Sequence, residues 1–188
     1  MSMPLLTVAN QLTLLRMALA PFLVLALTWG RFGWAVATFL VAGLTDLLDG
    51  LIARYGHQKT PLGATLDPVA DKILLGATFV ALTWNSAVQV RIPVWVTVVT
   101  LSRDMVIVVA VVIVNLVVER RIFFPSVLGK VTTVLQLVTA ASVLLLNWAH
   151  TDSAALPYLF LATVLVTVAS GAHYIYLAST HKAFATRA

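Results

Sequence analysis

Apolar residues fill six long runs of this chain, over about 11–29, 33–54, 68–88, 92–117, 127–148 and 157–178. Each approaches the roughly 20 mostly apolar residues that a helix needs to cross a bilayer. Turn-forming or polar stretches separate the runs: Gly30-Arg31-Phe32-Gly33, Tyr55 to Leu66, Asn85 to Arg91, Glu119 to Pro125, and His150 to Ser153 before Pro157. The pattern predicts an all-α integral membrane protein with six transmembrane helices. It contains no internal repeat, low-complexity tract or linker, so residues 1–188 read as one domain. The first run lacks a charged leader and a clear small-residue cleavage site, and is read as a retained helix.

Composition sharpens this picture. Hydrophobic residues make up 61% of the chain and charged residues 10%, against roughly 25% charged in soluble domains. So much apolar surface does not fit inside one small core. The net charge of +5 does not point to nucleic acid, because no basic run or aromatic-interleaved patch accompanies it. The basic residues instead flank the apolar runs. Arg54, Lys59, Lys72, Arg120, Arg121, Lys130, Lys182 and Arg187 fall on one side, and Arg31 and Arg91 on the other. The positive-inside rule makes the richer side cytoplasmic, with both termini there. Cysteine is absent, which excludes disulfides and thiolate chemistry. The four histidines lack ligand spacing and read as non-metal residues, and the tryptophans and tyrosines as packing groups or interfacial anchors.

Against that background the acidic residues are concentrated. Four of the seven lie at Asp46, Asp49, Asp67 and Asp71. Carboxylates at membrane depth are costly and mark function. Asp46, Asp49, Gly50, Ala53 and Arg54 are spaced by three and four, which places them on one helical face. Asp67 and Asp71 share a face at the start of the next helix, where Asp67 before Pro68 suits an N-cap followed by proline. The connection over 55–66 is long enough to let the two faces meet around a polar cavity opening to the cytoplasm. A structural reading makes the aspartates caps or ion-pair partners of Arg54 and Lys72. A proton or cation transporter is a second reading. The first fails at Asp46, which has apolar sequence on both sides and cannot be a cap, and the second does not account for the small residues Gly50, Ala53 and Gly63, which leave room for a bulky ligand. Two divalent cations held by the carboxylates, with Arg54 as a phosphate fork, point to displacement at phosphorus in a nucleotide diphosphate.

The motif Asp46-x2-Asp49-Gly50-x2-Ala53-Arg54-x8-Gly63-x3-Asp67-x3-Asp71 resembles the signature of the CDP-alcohol phosphatidyltransferase family at every fixed position. The resemblance implies a six-helix membrane enzyme, usually a homodimer, in a bacterial inner membrane or its equivalent. It implies transfer of a phosphatidyl group from CDP-diacylglycerol to an alcohol, with release of CMP. Asp46, Asp49 and Asp67 then match metal ligands for Mg²⁺ or Mn²⁺. Asp71 matches the base, which also neighbours the second metal. Gly50, Ala53, Arg54 and Gly63 match positions lining the cytidine diphosphate site. Asn10-x2-Thr13-x2-Arg16 resembles the family's N-terminal stretch, with Ala9 where proline is usual; capping by Asn10 and headgroup contact by Arg16 are the plainer alternatives.

Acceptor residues are sought further on. Arg103-Asp104, deep in the fourth run, is expected to face the cavity or to form a mutual ion pair. Lys130 opens the fifth run and, with Arg121 at the rim, suits an acceptor phosphate or a positive-inside flank. The runs 42–50 and 66–74, with Ser102-Arg103-Asp104 and Gly129-Lys130-Val131-x-Thr133, are most similar to the CMP-forming cardiolipin synthase branch, whose acceptor is phosphatidylglycerol. Phosphatidylglycerophosphate synthases, which use glycerol 3-phosphate, usually carry Arg-Glu here and a further arginine where this chain has Val111.

Overall fold

The computed structural model describes the backbone of residues 8–55, 61–117 and 127–179, and the side chains at 11, 13–46, 70, 72–109 and 127–174. Six helices account for nearly all of it: α1 Val8–Thr28, α2 Phe32–Tyr55, α3 Pro61–Trp84, α4 Val94–Val117, α5 Val127–Ala149 and α6 Leu156–Ser179. No strand occurs among the described residues. The six apolar runs therefore became six helices, with two boundary corrections. α3 starts at Pro61, so Asp67 and Pro68 lie inside it and Asp67 is no cap. The apolar periodicity concealed this because residues 61–67 carry few large apolar side chains. Asn10 follows helical Val8 and Ala9, so it does not cap α1 either.

Two of the helices meet the length and composition of a membrane span among the described residues, α5 and Leu156–Tyr174 of α6, with mean hydropathy 1.6 and 1.5. Their polarity is inverted relative to a soluble protein. α6 buries Thr163, Thr167 and Ser170 while exposing Leu161, Leu165 and Val168. α5 buries Thr132, Gln136 and Thr139 while exposing Val131, Val134 and Val138. Such a surface suits hydrocarbon as the solvent.

The fold divides into two compact units. The first comprises residues 1–91 and 140–152, the second 92–139 and 153–188. In the first unit α1 packs against both α2 and α3. Thr13, Arg16, Ala20, Leu23 and Leu27 are buried along it, with Ala26 beside them, and the five are spaced alternately by three and four as a helix seam requires. Ala20, Ala35 and Ala42 are almost fully buried, and their small side chains let backbones approach. The α1–α2 turn closes on Gly30, whose φ of 65° favours glycine. The amides of Gly30 and Arg31 bond the carbonyls of Leu27 and Ala26 at 3.0 and 2.8 Å.

Asn147, near the end of α5, organises the α3–α4 loop. Its Oδ1 accepts from the Gln89 and Val90 amides at 2.9 and 3.1 Å. Its Nδ2 donates to the Val90 and Val143 carbonyls, both at 2.8 Å. Asn147→Ala strips partners from three part-buried backbone groups of the loop and is expected to cost about 2 kcal/mol. Thr28→Val removes two exposed bonds, to the Val24 carbonyl at 2.8 Å and from Asn85 at 3.2 Å, whose groups water can satisfy, and is expected to cost under about 1 kcal/mol. Thermal unfolding of both variants in the same detergent checks the difference.

In the second unit α4 packs against α6. Thr139 and Thr163 share a 2.7 Å hydrogen bond that joins α5 to α6. Most of the buried threonines satisfy themselves locally: the hydroxyls of Thr132 and Thr167 donate to the carbonyl four residues back at 2.8 and 2.6 Å, and one of Thr139 and Thr163 does the same at 2.8 Å while the other donates across the pair. This lets these hydroxyls line an apolar bundle with their donors satisfied.

Candidate active site

The acidic motif lies on α2 and α3 of the first unit, away from the α1–α2 turn. Helical rise puts Asp46 about 21 Å along α2 from Phe32. Asp46 is the motif aspartate whose side chain is described, and its environment is specific. Its Oδ1 lies 3.0 Å from Nη1 of Arg16. The Arg16 side chain is 1% exposed and the Asp46 side chain 48%. Arg16 thus continues the buried seam of α1 as a charge, and a buried charge is tolerated only when paired. Asp46 answers that charge while keeping half its surface open. Its second oxygen has no hydrogen bond among the described residues.

This corrects two expectations. Arg16 makes no headgroup contact at the surface, since it is buried against α2. The ion-pair partner of Asp46 is Arg16, where Arg54 and Lys72 were the candidates. Thr13, one turn before Arg16, is fully buried on the same face, and Asn10 lies one turn earlier in the same helix. The side chains of Asn10, Asp49, Gly50, Ala53, Arg54, Gly63, Asp67 and Asp71 lie outside the described residues, as does Arg121 entirely. Their backbones, Arg121 apart, are helical at the positions the motif requires. Among the described residues no group of three metal-donor side chains occurs.

The second unit holds a polar cluster of its own. Arg103 Nη1 lies 2.9 Å from Asp104 Oδ1, and Nη2 donates to Ser170 Oγ at 2.6 Å. Its guanidinium carbon sits 5.8 Å from the centre of the Tyr174 ring. Both members of the ion pair are about nine-tenths buried. The mutual pair considered from the sequence is therefore real, and it is anchored across to α6. Gly171 helps, because a methyl there would come within 3.8 Å of Arg103 Cγ. Three polar atoms in this region lack a partner: Arg103 Nε, Thr100 Oγ1 and His173 Nδ1. Buried donors and acceptors rarely stay unpaired, so the cluster has capacity for a polar ligand. Lys130 is exposed in the first turn of α5 and makes no ion pair among the described residues.

Sequence reasoning missed Ser170, Tyr174 and Thr100. A signal was present: Thr163, Thr167, Ser170 and Tyr174 recur every three or four residues along an apolar helix. It was passed over because hydroxyl residues in such helices usually bond their own backbone.

A family model described as CDP-alcohol phosphatidyltransferase matches residues 6–174. The chain is similar to the cardiolipin synthase (CMP-forming) of Rattus norvegicus, 36% identical over 185 residues, covering 89% of this chain and 60% of that protein. It is similar to the probable phosphatidylglycerophosphate synthase of Mycobacterium tuberculosis, 35% identical over 176 residues, covering 89% of this chain and 79% of that protein. A shorter match, 47% identical over 76 residues, covers 38% of this chain and 41% of the CDP-diacylglycerol–glycerol-3-phosphate 3-phosphatidyltransferase of Escherichia coli. The chain spans about 60% of the length of the rat and human cardiolipin synthases it matches.

Proposed function

The chain belongs to the CDP-alcohol phosphatidyltransferase family, and we propose that it transfers a phosphatidyl group from CDP-diacylglycerol to phosphatidylglycerol, giving cardiolipin and CMP. The observation that carries the reading is the Arg16–Asp46 pair. It ties the N-terminal Asn10-x2-Thr13-x2-Arg16 stretch to the acidic motif, so two separate family motifs converge on one place. The continuous match over residues 6–174 supports a single functional domain across both units. With that family in hand, the ion-transport reading has no feature left to carry it.

Asp46, Asp49, Asp67 and Asp71 would hold two divalent cations. The donor set fits, because all four ligands are hard carboxylate oxygens and Asp46 keeps one oxygen uncommitted. Mg²⁺ or Mn²⁺ bound there would neutralise the pyrophosphate and the departing CMP. The protein's own groups do the rest. Gly50, Ala53 and Gly63 leave space for the cytidine, and Arg54 presents a fork to phosphate. Asn10 and Thr13 approach the same ligand from α1, Thr13 from a fully buried position. Asp71 accepts the proton of the attacking hydroxyl as the new P–O bond forms and the bond to CMP breaks. Arg16 holds Asp46 in orientation.

Arg103 and Lys130, with Arg121, are proposed for the acceptor phosphate. A lipid phosphodiester brings one negative charge, and Val111 in place of an arginine fits that smaller demand better than a dianionic phosphomonoester. Arg103→Ala should raise the KM for phosphatidylglycerol at least about tenfold with little change for CDP-diacylglycerol. Initial rates of CMP release with each substrate varied in turn read this directly. A purified protein that makes phosphatidylglycerophosphate from glycerol 3-phosphate and no cardiolipin overturns the acceptor and leaves the family intact. The surroundings are proposed likewise: six spans, a cavity and both termini on the cytoplasmic side as the Lys and Arg asymmetry argues, a bacterial inner membrane or its equivalent, and a homodimer.

A further inference from the structure

The turn between α1 and α2 builds a cleft that none of this chemistry uses. Phe22, Ala26, Trp29, Arg31 and Trp34 line it, and its volume is about 290 Å³. Phe22, Ala26 and Trp29 are four and three residues apart, so they run down one face of α1. Ala26 is buried and forms the floor, while Phe22, Trp29 and Trp34 stand exposed around it. Arg31 follows in the turn beside the cleft, its backbone amide hydrogen-bonded to the Ala26 carbonyl at 2.8 Å. Its side chain is exposed and has no hydrogen bond or ion pair among the described residues. Arg91, in the α3–α4 loop of the same unit, is committed to the carbonyls of Val88 and Ser86 at 3.0 and 3.4 Å.

This end of the first unit is also its aromatic end. Asn85 bonds Thr28, Trp148 lies against Gly33, and His150 packs edge-on against Phe32 at 6.1 Å. Exposed Trp29, Trp34, Trp84 and Trp148 therefore gather there, as indoles do at a membrane–water boundary. An uncommitted cation at the boundary, above an apolar groove that descends into the hydrocarbon, has the polarity profile of one lipid molecule.

We propose that the cleft binds a single anionic phospholipid, with its phosphate against the Arg31 guanidinium and its upper acyl chain along Phe22 and Ala26. Phe22 and Thr28, the last residue of α1, are about 9 Å apart along the helix, and Arg31 follows in the turn, so the cleft has room for a headgroup, a glycerol and the first methylenes. Trp34 and Asp46 are about 18 Å apart along α2, so this site is distinct from the transfer site and independent of the acceptor chosen there.

The test uses the full chain with Trp34, Trp84, Trp95 and Trp148 changed to Phe, leaving Trp29 as the reporter. In detergent it is titrated with phosphatidylglycerol or phosphatidylcholine brominated in the upper acyl chain, which quenches an indole on contact. Saturable quenching at an about fivefold lower fraction of phosphatidylglycerol is expected, the worth of one interfacial cation. Arg31→Gln should erase that preference, Arg31→Lys should keep it, and CMP release by Arg31→Gln should stay at the wild-type rate. Should the quadruple variant not fold, Trp29→Phe alone should remove the selectively quenched share of the wild-type signal. Equal quenching by both lipids, or an unchanged preference in Arg31→Gln, would leave only ordinary boundary lipid and overturn the proposal. Trp29 shielded from both lipids in a protein that dimerises on sedimentation would overturn it too, by assigning the cleft to a second copy of the chain.

Discussion

Asp46→Asn is expected to lower CMP release from CDP-diacylglycerol by about a hundredfold to a thousandfold, the scale of losing one charged contact to a developing charge. The melting temperature should barely move. Half of the Asp46 side chain faces solvent, so the pair with Arg16 is screened on that side and contributes at most about 1 kcal/mol. The asparagine oxygen still accepts from Arg16, which preserves the geometry while removing the negative charge. Asp49→Asn and Asp67→Asn should behave alike if all three are metal ligands. Activity measured against Mg²⁺ or Mn²⁺ concentration, beside a melting curve, checks this. Wild-type turnover with unchanged metal dependence in any one of them removes that residue from the ligand set. Arg16→Met should also leave the melting temperature nearly unchanged, since an apolar side chain of similar length replaces a buried charge and leaves Asp46 half exposed, while turnover falls because Asp46 loses its anchor.

Asp71→Asn should separate binding from chemistry. As the base, Asp71 is needed when the acceptor hydroxyl loses its proton, a role worth about 10²–10⁴ in rate. The variant should still be stabilised against heat by CDP-diacylglycerol with divalent metal, yet release CMP at least about a hundredfold more slowly. Loss of ligand stabilisation together with turnover makes Asp71 chiefly a ligand, and the base then lies elsewhere.

The hydrophobic period made the six helices legible, because long apolar runs between Gly, Pro and Asn punctuation admit few other structures. The start of α3 was not legible. Asp67-Pro68 imitates a helix opening, although the helix is already present at Pro61. The aspartate motif was legible because carboxylates are scarce in an apolar chain. The partner of Asp46 was not, since Arg16 lies 30 residues away on another helix and its spacing from Thr13 and Ala20 was available but not read as a seam. The anchoring of Arg103 by Ser170 and Tyr174 was hidden for the same reason: side-chain pairing between helices follows from crossing geometry, which one-dimensional spacing does not contain.

Asn147 sets an order on synthesis. The amides of Gln89 and Val90 find their acceptor 58 and 57 residues later in the chain. At about 5–20 residues per second, a ribosome takes about 3–12 s to make that stretch. Until then the α3–α4 loop has only water to satisfy it, and water is present only near the membrane surface. The first three helices are therefore made with their loop unfinished, and the fifth helix completes it on arrival.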